Sequence, residues 1–347
     1  MKNIQYLLKM RYLRFMAASI VGGFALAVLS SGCAQQAWTN VNVEIIDPIG
    51  NRRAAAISTE GVPFLSYIDI YGGGSGNLSV AKFQNDSWTH VGPRGFVRTE
   101  SRFFFTVDSS GAPYLLGAKR ATEYENTIEM MKFEEGQWIR IGPPIMTERV
   151  EFLSMAFDST GVPYLAYEIA HPDRTVTVDV VKLKIDTWVP AGATVFLNNM
   201  DFYSLAVSSS GILYLTYVDY SNQKKLSVIK FENGTWAPVG LRNFTPEGIE
   251  DAPLTFDLNG VPYVAYRSNR GRLSVMKFQA GAWVYVGRRE FVSTVPMLPA
   301  IMVSSARIPY VAFLSESRPH WKFKMMKFDG DSWVSVGPEE FSSKNTK

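Results

Sequence analysis

The chain has 347 residues, of which 46% are apolar, 19% charged and 13% aromatic, and this composition supplies a large core and excludes bulk disorder. Its formal charge of +3 depends on four basic residues that precede residue 33. Without them 31 basic residues stand against 32 acidic ones, so the basic excess of a nucleic-acid-binding protein is missing and no nucleic-acid partner is expected. A single Cys excludes a disulfide framework and a zinc ribbon.

Residues 1–32 have the pattern of an export signal. Four basic residues and no acidic ones come first, and an uncharged, mostly apolar run follows over residues 15–31. This order is typical of a secretory signal, and the run is at the short end for a membrane-spanning helix. We therefore expect an N-terminal signal helix, and the alternatives are cleavage of an ordinary signal or retention as an uncleaved anchor.

Cys33, the only cysteine, follows this run directly after Gly32. The Gly32-Cys33 pair resembles the lipobox of bacterial lipoproteins, in which the Cys becomes the lipidated N-terminus. The resemblance implies a lipoprotein-type signal peptide over 1–32, lipidation of Cys33 and a membrane partner reached through that lipid. Ala34 resembles the next residue of lipoproteins sent to the outer membrane. The expected location is therefore the bacterial cell envelope, with secretion as the alternative.

A repeat of about 50 residues dominates the rest of the chain. A Gly-x-Pro-aromatic motif such as Gly161–Tyr164 follows each of the first six repeated Trp residues by 23 or 24 residues, in altered form at 211–214 and 307–310. A Lys-Phe or Lys-Leu pair such as Lys132-Phe133 precedes the next Trp. Because three markers keep phase over six copies, they predict six equivalent units. The tryptophans recur at spacings of 50, 50, 50, 48, 47 and 50 residues: Trp38, Trp88, Trp138, Trp188, Trp236, Trp283 and Trp333.

Each unit has the pattern of four short strands, a to d. Strand a is apolar, as in residues 152–157, and ends at a turn such as Asp158 to Gly161, whose residues favour type I. Strand b carries the Pro-Tyr motif, strand c alternates as in residues 78–83, and strand d begins near the Trp. The sequence therefore predicts an all-β fold, a six-bladed β-propeller of four-stranded antiparallel blades over residues 51–340.

The seventh tryptophan, Trp38, has no unit of its own. Residues 33–50 are too few for a seventh blade, so we expect a tether and an extra edge strand at Trp38, near the seam of the ring. Residues 341–347 are expected to form a C-terminal tail. The recurrent tryptophans are expected to be wedged between neighbouring blades, since each can bury about 150–250 Å². A closed ring of this kind is expected to be a monomer.

In a propeller the b–c and d–a loops share one face, and here these loops are long and differ between units. Variable loops on a rigid frame are where function usually lies. Charged residues at the start of strand a are expected to surround the mouth of the central channel, where they could bind a cation or a sugar hydroxyl or act as acid and base. A solvated charge network is the other interpretation of these residues, and it is the favoured one. These candidate site residues are Arg52, Arg102, Glu151, Asp201, Glu250 and Asp251.

Other motifs do not point to a site. The glycine-rich stretch 71–76 lacks the Lys-Ser/Thr pair and the strand-to-helix context of a phosphate loop. His90, His171 and His320 have no metal-ligand spacing, and Cys33 lies at the processing point. We therefore predict no cofactor, no metal site and no catalytic residue.

The repeat resembles that of secreted bacterial propellers whose blades carry G-x-P-Y-x-A-Y, L-S-V-x-K-F and W-x-x-V-G, here in residues 260–266 and 273–278. The turn over 328–333 is similar to the Asp-box, S-x-D-x-G-x-T-W, of sialidase-type six-bladed propellers, which is a more distant resemblance. The catalytic residues of the sialidases match no positions in this chain, and none is carried over.

These observations favour a non-enzymatic binding protein or scaffold, tethered at the bacterial envelope, that holds a protein, a peptide or a glycan on its long-loop face. The alternative is a glycan-cleaving enzyme, a sialidase-like glycoside hydrolase that uses carboxylates near the channel. Carboxylates about 5–9 Å apart in an open pocket favour the enzyme, whereas carboxylates held in Arg pairs favour the binding protein.

Overall fold

The computed structural model describes residues 53–57, 62–68, 77–84, 87–98, 102–108, 110–122, 125–171, 175–196, 200–292, 294–304, 306–317 and 320–336. Within these ranges the chain forms β-strands and one short 3₁₀-helix, Tyr220–Asn222. Neighbouring strands pair antiparallel, so the predicted all-β class is confirmed. The predicted signal helix, the Trp38 strand and the C-terminal tail lie outside the described residues.

The described strands form six consecutive units, in each of which four strands pair in chain order. Unit 1 contains β1 (Arg53–Ile57), β2 (Pro63–Ile68), β3 (Asn77–Gln84) and β4 (Ser87–His90), and β5 (Val97–Arg98) is added to β3. Unit 2 contains β6 (Arg102–Val107), β7 (Pro113–Arg120), β8 (Glu125–Glu134) and β9 (Gln137–Arg140). Unit 3 contains β10 (Ile145–Phe157), β11 (Pro163–Ala170), β12 (Val176–Lys184) and β13 (Thr187–Pro190), and β14 (Val195–Phe196) is added to β12.

Units 4 to 6 repeat the arrangement. Unit 4 contains β15 (Met200–Val207), β16 (Leu213–Asp219), β17 (Lys225–Glu232) and β18 (Thr235–Pro238). In unit 5 the first strand is split into β19 (Ile249–Asp251) and β20 (Leu254–Phe256), which both pair with β21 (Pro262–Ser268), and β22 (Leu273–Gln279) and β23 (Ala282–Tyr285) follow. Unit 6 contains β24 (Pro296–Val303), β25 (Pro309–Ser317), β26 (His320–Phe328) and β27 (Trp333–Ser335).

The first strands of consecutive units lie in contact along the whole series, from β1 through β6, β10, β15 and β20 to β24. Successive sheets therefore stack side by side about their first strands, as the propeller prediction requires. The closure of this series into a ring stays a prediction.

In units 1 to 3 the segment that leaves the fourth strand pairs again with the sheet it came from. β5 and β14 do so in units 1 and 3, and in unit 2 the first four residues of β10 pair with β8. Because β10 then continues as the first strand of unit 3, units 2 and 3 share one nine-stranded sheet. These return segments position the charged residues of the long-loop face.

A recurrent tryptophan connects each of units 2 to 6 to the unit before it. The indole nitrogens of Trp138, Trp188, Trp236, Trp283 and Trp333 donate to backbone carbonyls of the unit before, at 2.5–2.9 Å. Three of these rings also stack on a phenylalanine from that unit, as Phe244 does on Trp283 with ring centroids 4.8 Å apart. The predicted placement of the tryptophans between neighbouring units is confirmed for units 2 to 6.

The same contact between neighbouring units explains why the Val-Gly motif contains a glycine. Gly240 has a φ of 74°, and a Cβ atom there would lie 2.7 Å from the Phe278 ring of the next unit. Gly287 has a φ of 70° and would meet Phe328 at 2.6 Å. The close approach of the next unit and the left-handed backbone therefore both require glycine.

The opposite end of each unit is formed by short, regular turns. The Asp158 carboxylate accepts hydrogen bonds from the amides of Thr160 and Val162 at 2.9 and 3.0 Å, which holds the turn after β10. Asp108 and Asp257 make the same contacts in units 2 and 5. These residues serve the fold, so the irregular, charged groups at the other end are the better candidates for function.

Candidate functional site

Three of the predicted channel-mouth carboxylates lie at the start of the first strands in units 3 to 5. Glu151 and Glu250 sit where the strand registers shift, between Val150 and Phe152 and between Ile249 and Asp251. Such β-bulges leave one residue out of the ladder and redirect its side chain. Asp201 pairs with Val218 in the regular part of β15. The sequence therefore predicted their positions along the chain but not the bulges that orient two of them.

Each of these carboxylates is held by a donor of its own unit. Arg149 Nε lies 2.6 Å from Glu151 Oε1 and Arg267 Nη1 lies 2.5 Å from Glu250 Oε2. The Tyr220 hydroxyl donates to Asp201 Oδ2 at 2.5 Å. Two of the three are thus in Arg pairs, which is the arrangement expected of a binding surface.

The other predicted site residues are placed less fully. Asp251 ends β19, is half-buried and lies opposite Arg267 in the ladder. Arg102 begins β6, opposite Ala118, but its side chain is outside the described part, as are Arg52 and Cys33. The convergence of all six residues on a channel mouth, and lipidation at Cys33, stay predictions.

A larger group of charges is here called the rim cluster. It combines the Glu250–Arg267 pair with Glu247, Arg289 and Glu290. The Arg289 guanidinium donates to Glu247 and lies 3.6 Å from Glu290 Oε1. The Glu247 side chain is only 11% exposed and that of Arg267 only 14%. The cluster therefore joins the segment before β19 to the loop after β23, across the boundary of units 4 and 5.

Four buried atoms of the rim cluster have no hydrogen-bond partner among the described residues. Two are donors, the Nε atoms of Arg267 and Arg289, and two are acceptors, Oε1 of Glu247 and Oε1 of Glu290. A buried polar atom without a partner costs about 1–3 kcal/mol. Hydrogen-bond partners for these four atoms would therefore stabilise the cluster by a comparable amount.

Reasoning from spacing at the first strands predicted Glu250 but not the other four members of the rim cluster. Arg289 belongs to a Val-Gly-x-Arg motif that also occurs at Arg94 and Arg242, so the repeat itself carried a signal. Its partner Glu247 lies 42 residues earlier in the chain. No local pattern links two residues so far apart in sequence.

The His171 imidazole lies between a carboxylate and a hydroxyl. Its Nδ1 lies 2.8 Å from Glu148 Oε2, and its Nε2 lies 2.8 Å from Thr177 Oγ1. A nucleophile, a base and an orienting acid have this order. Thr177, however, is buried at 5% exposure, so its hydroxyl is shielded from a polymeric substrate. These contacts tie the end of unit 2 to unit 3.

An open groove lies between units 1 and 2, at Gly117 of β7. Its volume is about 300 Å³ including space open to solvent. A Cβ atom at Gly117 would have no neighbour within 4 Å. The groove is lined by apolar and charged side chains together: Val97, Arg98, Phe103, Leu115, Lys119, Glu129 and Met131.

The described residues contain neither a candidate metal site nor a candidate membrane-spanning helix. They contain no group of three or more His, Cys, Asp or Glu side chains that could hold a metal ion. In the same part of the chain, no helix has the length and apolar character needed to cross a membrane.

Comparison with solved structures shows what the fold is similar to. A six-bladed β-propeller lectin of Aleuria aurantia matches with a TM-score of 0.54 and 11% identity, over 83% of this chain and 96% of the lectin. The SapL1 lectin, solved with α-methyl fucoside, matches with a TM-score of 0.55 and 12% identity, over 85% and 99%. A Trypanosoma rangeli sialidase matches with a TM-score of 0.54 and 12% identity, over 80% of this chain and 54% of the sialidase.

At these identities the likeness shows the fold alone, which is that of β-propeller proteins. The chain spans about half the length of the T. rangeli sialidase, as its 54% coverage states. No protein-family model matches the chain. No curated protein matches it either.

Proposed function

We propose that the chain is a six-bladed, non-enzymatic propeller that binds glycans through the rim cluster and is tethered at the bacterial cell envelope through a lipid on Cys33. The observation that carries the proposal is the set of four buried atoms without partners at Arg267, Arg289, Glu247 and Glu290. They offer two donors and two acceptors on β21, on the segment before β19 and on the loop after β23. Sugar hydroxyls match this set because each hydroxyl both donates and accepts.

The charge of the rim cluster supports the same ligand class. Three carboxylates, Glu247, Glu250 and Glu290, accompany two guanidinium groups, Arg267 and Arg289. Three carboxylates against two guanidinium groups leave one negative charge in excess, so the cluster favours a neutral, polar ligand over an anionic one. The fold likeness to two lectins is compatible with this but does not identify the sugar.

The enzymatic alternative has one observation in its favour. Glu151, Asp201 and Glu250 lie in the first strands of three successive units, near where each begins to pair with the second strand. A glycosidase needs one carboxyl group free to deliver a proton and a second free to assist. Here each of the three already contacts an Arg or a Tyr of its own unit, which weighs against acid–base chemistry.

A glycan array with the purified protein tests the proposal. Arg289→Gln removes a donor that only the rim cluster uses, and we expect it to weaken glycan binding by about 10- to 100-fold, the loss typical of a charged hydrogen bond. Arg288→Gln is the matched control, because Arg288 is the exposed neighbour of Arg289. Equal losses in the two variants, or no binding of any glycan, would contradict the proposal.

The same glycans are then incubated with the protein and analysed for released sugar. We expect no release. Turnover that disappears in Glu151→Gln and Asp201→Asn would establish the glycan-cleaving alternative instead.

The tether is tested by fractionation of cells. Cys33→Ala should move the protein from the membrane fraction to the soluble fraction if a lipid on Cys33 holds it. Retention of the variant in membranes would show that residues 15–31 act as an anchor or that another contact holds the protein.

A further inference from the structure

The groove at Gly117 arises because one unit lacks an aromatic side chain that the other units carry. The second residue after the Pro-Tyr-Leu or equivalent motif is Tyr67, Tyr167, Tyr217, Tyr266 or Phe313, but it is Gly117 in unit 2. In units 3 to 6 this aromatic side chain is buried. It belongs there to an apolar cluster that includes residues of the preceding unit. The repeat therefore shows that an aromatic ring fits at this position between two units.

The backbone does not require glycine at position 117. Gly117 pairs with Glu129 and Phe103 in an unbroken ladder and is not among the residues with positive φ. Glycine in a strand interior weakens the strand and often marks a place where a ligand approaches closely. The backbone of unit 2 would therefore accept an aromatic residue at position 117, and the open space between the units results from the absence of its side chain.

The walls of the groove retain the apolar character of the filled interfaces. Val97 of unit 1 lies on one side, and Phe103, Leu115 and Met131 of unit 2 lie on the other. Phe103 and Val97 pack against the apolar cluster that units 1 and 2 share. A planar ring placed there would meet the same kind of surface that surrounds Tyr167 or Tyr266.

The charged side of the groove is positive. Lys119 Nζ lies 3.0 Å from Glu129 Oε2, and Arg140 Nη2 lies 2.7 Å from Glu129 Oε1. Both oxygens of Glu129 are therefore engaged, and the carboxylate holds two cations in place. Within this group of three side chains, two cations therefore share one carboxylate. This excess of positive charge attracts an anionic group at the groove.

We propose that this groove binds a single aromatic ring that carries an anionic substituent, such as an aromatic carboxylic acid. The ring occupies the space that a tyrosine side chain fills in the other units, and the carboxylate lies against Lys119 and the neighbouring guanidinium groups. The site is separate from the rim cluster, which lies between units 4 and 5. Its existence does not depend on glycan binding.

Calorimetric titration of the purified full chain with 4-hydroxyphenylacetate and with neutral p-cresol tests this inference. We expect the acid to bind and p-cresol to bind about tenfold more weakly, because one charged hydrogen bond is lost. Gly117→Tyr restores the residue of the repeat and should abolish binding of both compounds. Unchanged binding of the acid to Gly117→Tyr, or no binding of either compound to the unaltered chain, would overturn the inference.

A second pair of variants keeps the test valid if Gly117→Tyr does not fold. Lys119→Gln should weaken the acid by about tenfold and leave p-cresol unchanged. Lys132→Gln is the control, since Lys132 is on the same strand as Glu129 but pairs with Glu134 at 2.7 Å. Equal affinity for the acid in these two variants, or p-cresol binding as tightly as the acid, would overturn the assignment of an anionic ligand.

Discussion

The boundary between units 1 and 2 and that between units 4 and 5 differ at one position of the second strand. In unit 5 this position holds Tyr266, which is 0% exposed and whose hydroxyl lies 3.0 Å from that of Tyr285. In unit 2 it holds Gly117, and the space is open. The strand registers around the two are equivalent, with Tyr266 opposite Ser274 and Gly117 opposite Glu129. The closed boundary thus has a buried aromatic ring at this position, and the open boundary has none.

The residue opposite also differs between units 2 and 5, although a charged residue at this position occurs beside a retained ring as well, as Asp179 does opposite Tyr167 and Lys324 opposite Phe313. The Ser274 hydroxyl accepts a hydrogen bond from the backbone amide of Glu290 at 2.9 Å, which holds the loop after the fourth strand in place. Ser79 and Ser227 do the same in units 1 and 4. The Glu129 carboxylate instead forms ion pairs with Lys119 and Arg140. In unit 2 the position has therefore exchanged a structural role for a charged one.

Opening the closed boundary should have the largest effect. Tyr266→Gly reproduces unit 2 in unit 5 and should lower the free energy of unfolding by about 3–5 kcal/mol, because a large buried side chain leaves a cavity. Tyr266→Phe is the control and should cost only about 1 kcal/mol, for one hydrogen bond. Denaturant unfolding measures both. A loss below about 1 kcal/mol for Tyr266→Gly would mean that the aromatic position does not hold the boundary together.

Closing the open boundary should have a smaller effect of opposite sign. Gly117→Tyr should raise the free energy of unfolding by about 0.5–2 kcal/mol, as cavity-filling substitutions commonly do. Thermal and denaturant unfolding check this value. Destabilisation would show that the walls at Gly117 are not shaped like those around Tyr266.

Alkaline pH provides the mildest test, through the same position in unit 3. Burial, together with the nearby charge of Asp179, raises the pKa of Tyr167 to about 12 from the ordinary value of 10.0. The unfolded chain loses this proton near pH 10 and the folded chain keeps it to about pH 12, so stability is unaffected below pH 10 and falls as the pH rises from there to 12. In Tyr167→Phe this part of the fall should disappear. An identical pH dependence in both proteins, measured by denaturant unfolding, would contradict the burial of the ring.

The sequence was sufficient for the repeated parts of the fold. The spacing of the tryptophans and of the Gly-x-Pro-Tyr motifs depends on local turns and on one alternating strand. In the structure this spacing corresponds to the repeated units and to the hydrogen bonds that Trp283 and Trp333 donate to the preceding unit. The length of β10 was not predicted, since nothing local shows that one strand serves two units.

The candidate sites were less predictable because they join distant segments. Arg289 reaches Glu247 over 42 residues, and His171 reaches Glu148 over 23. Gly117 was visible as a departure from Pro-Tyr-x-x-Tyr, but its meaning depends on the burial of the equivalent rings between units. That burial is a property of the assembled sheets and not of any one repeat.

The most direct test of this account is the thermal unfolding of the unaltered chain and of Gly117→Tyr, each with and without 4-hydroxyphenylacetate. The account predicts that the compound raises the melting temperature of the unaltered chain and leaves that of the variant unchanged, with the variant the more stable of the two when no compound is present. An equal rise in both proteins would place the compound elsewhere and would contradict the claim that the missing ring at Gly117 creates a binding groove.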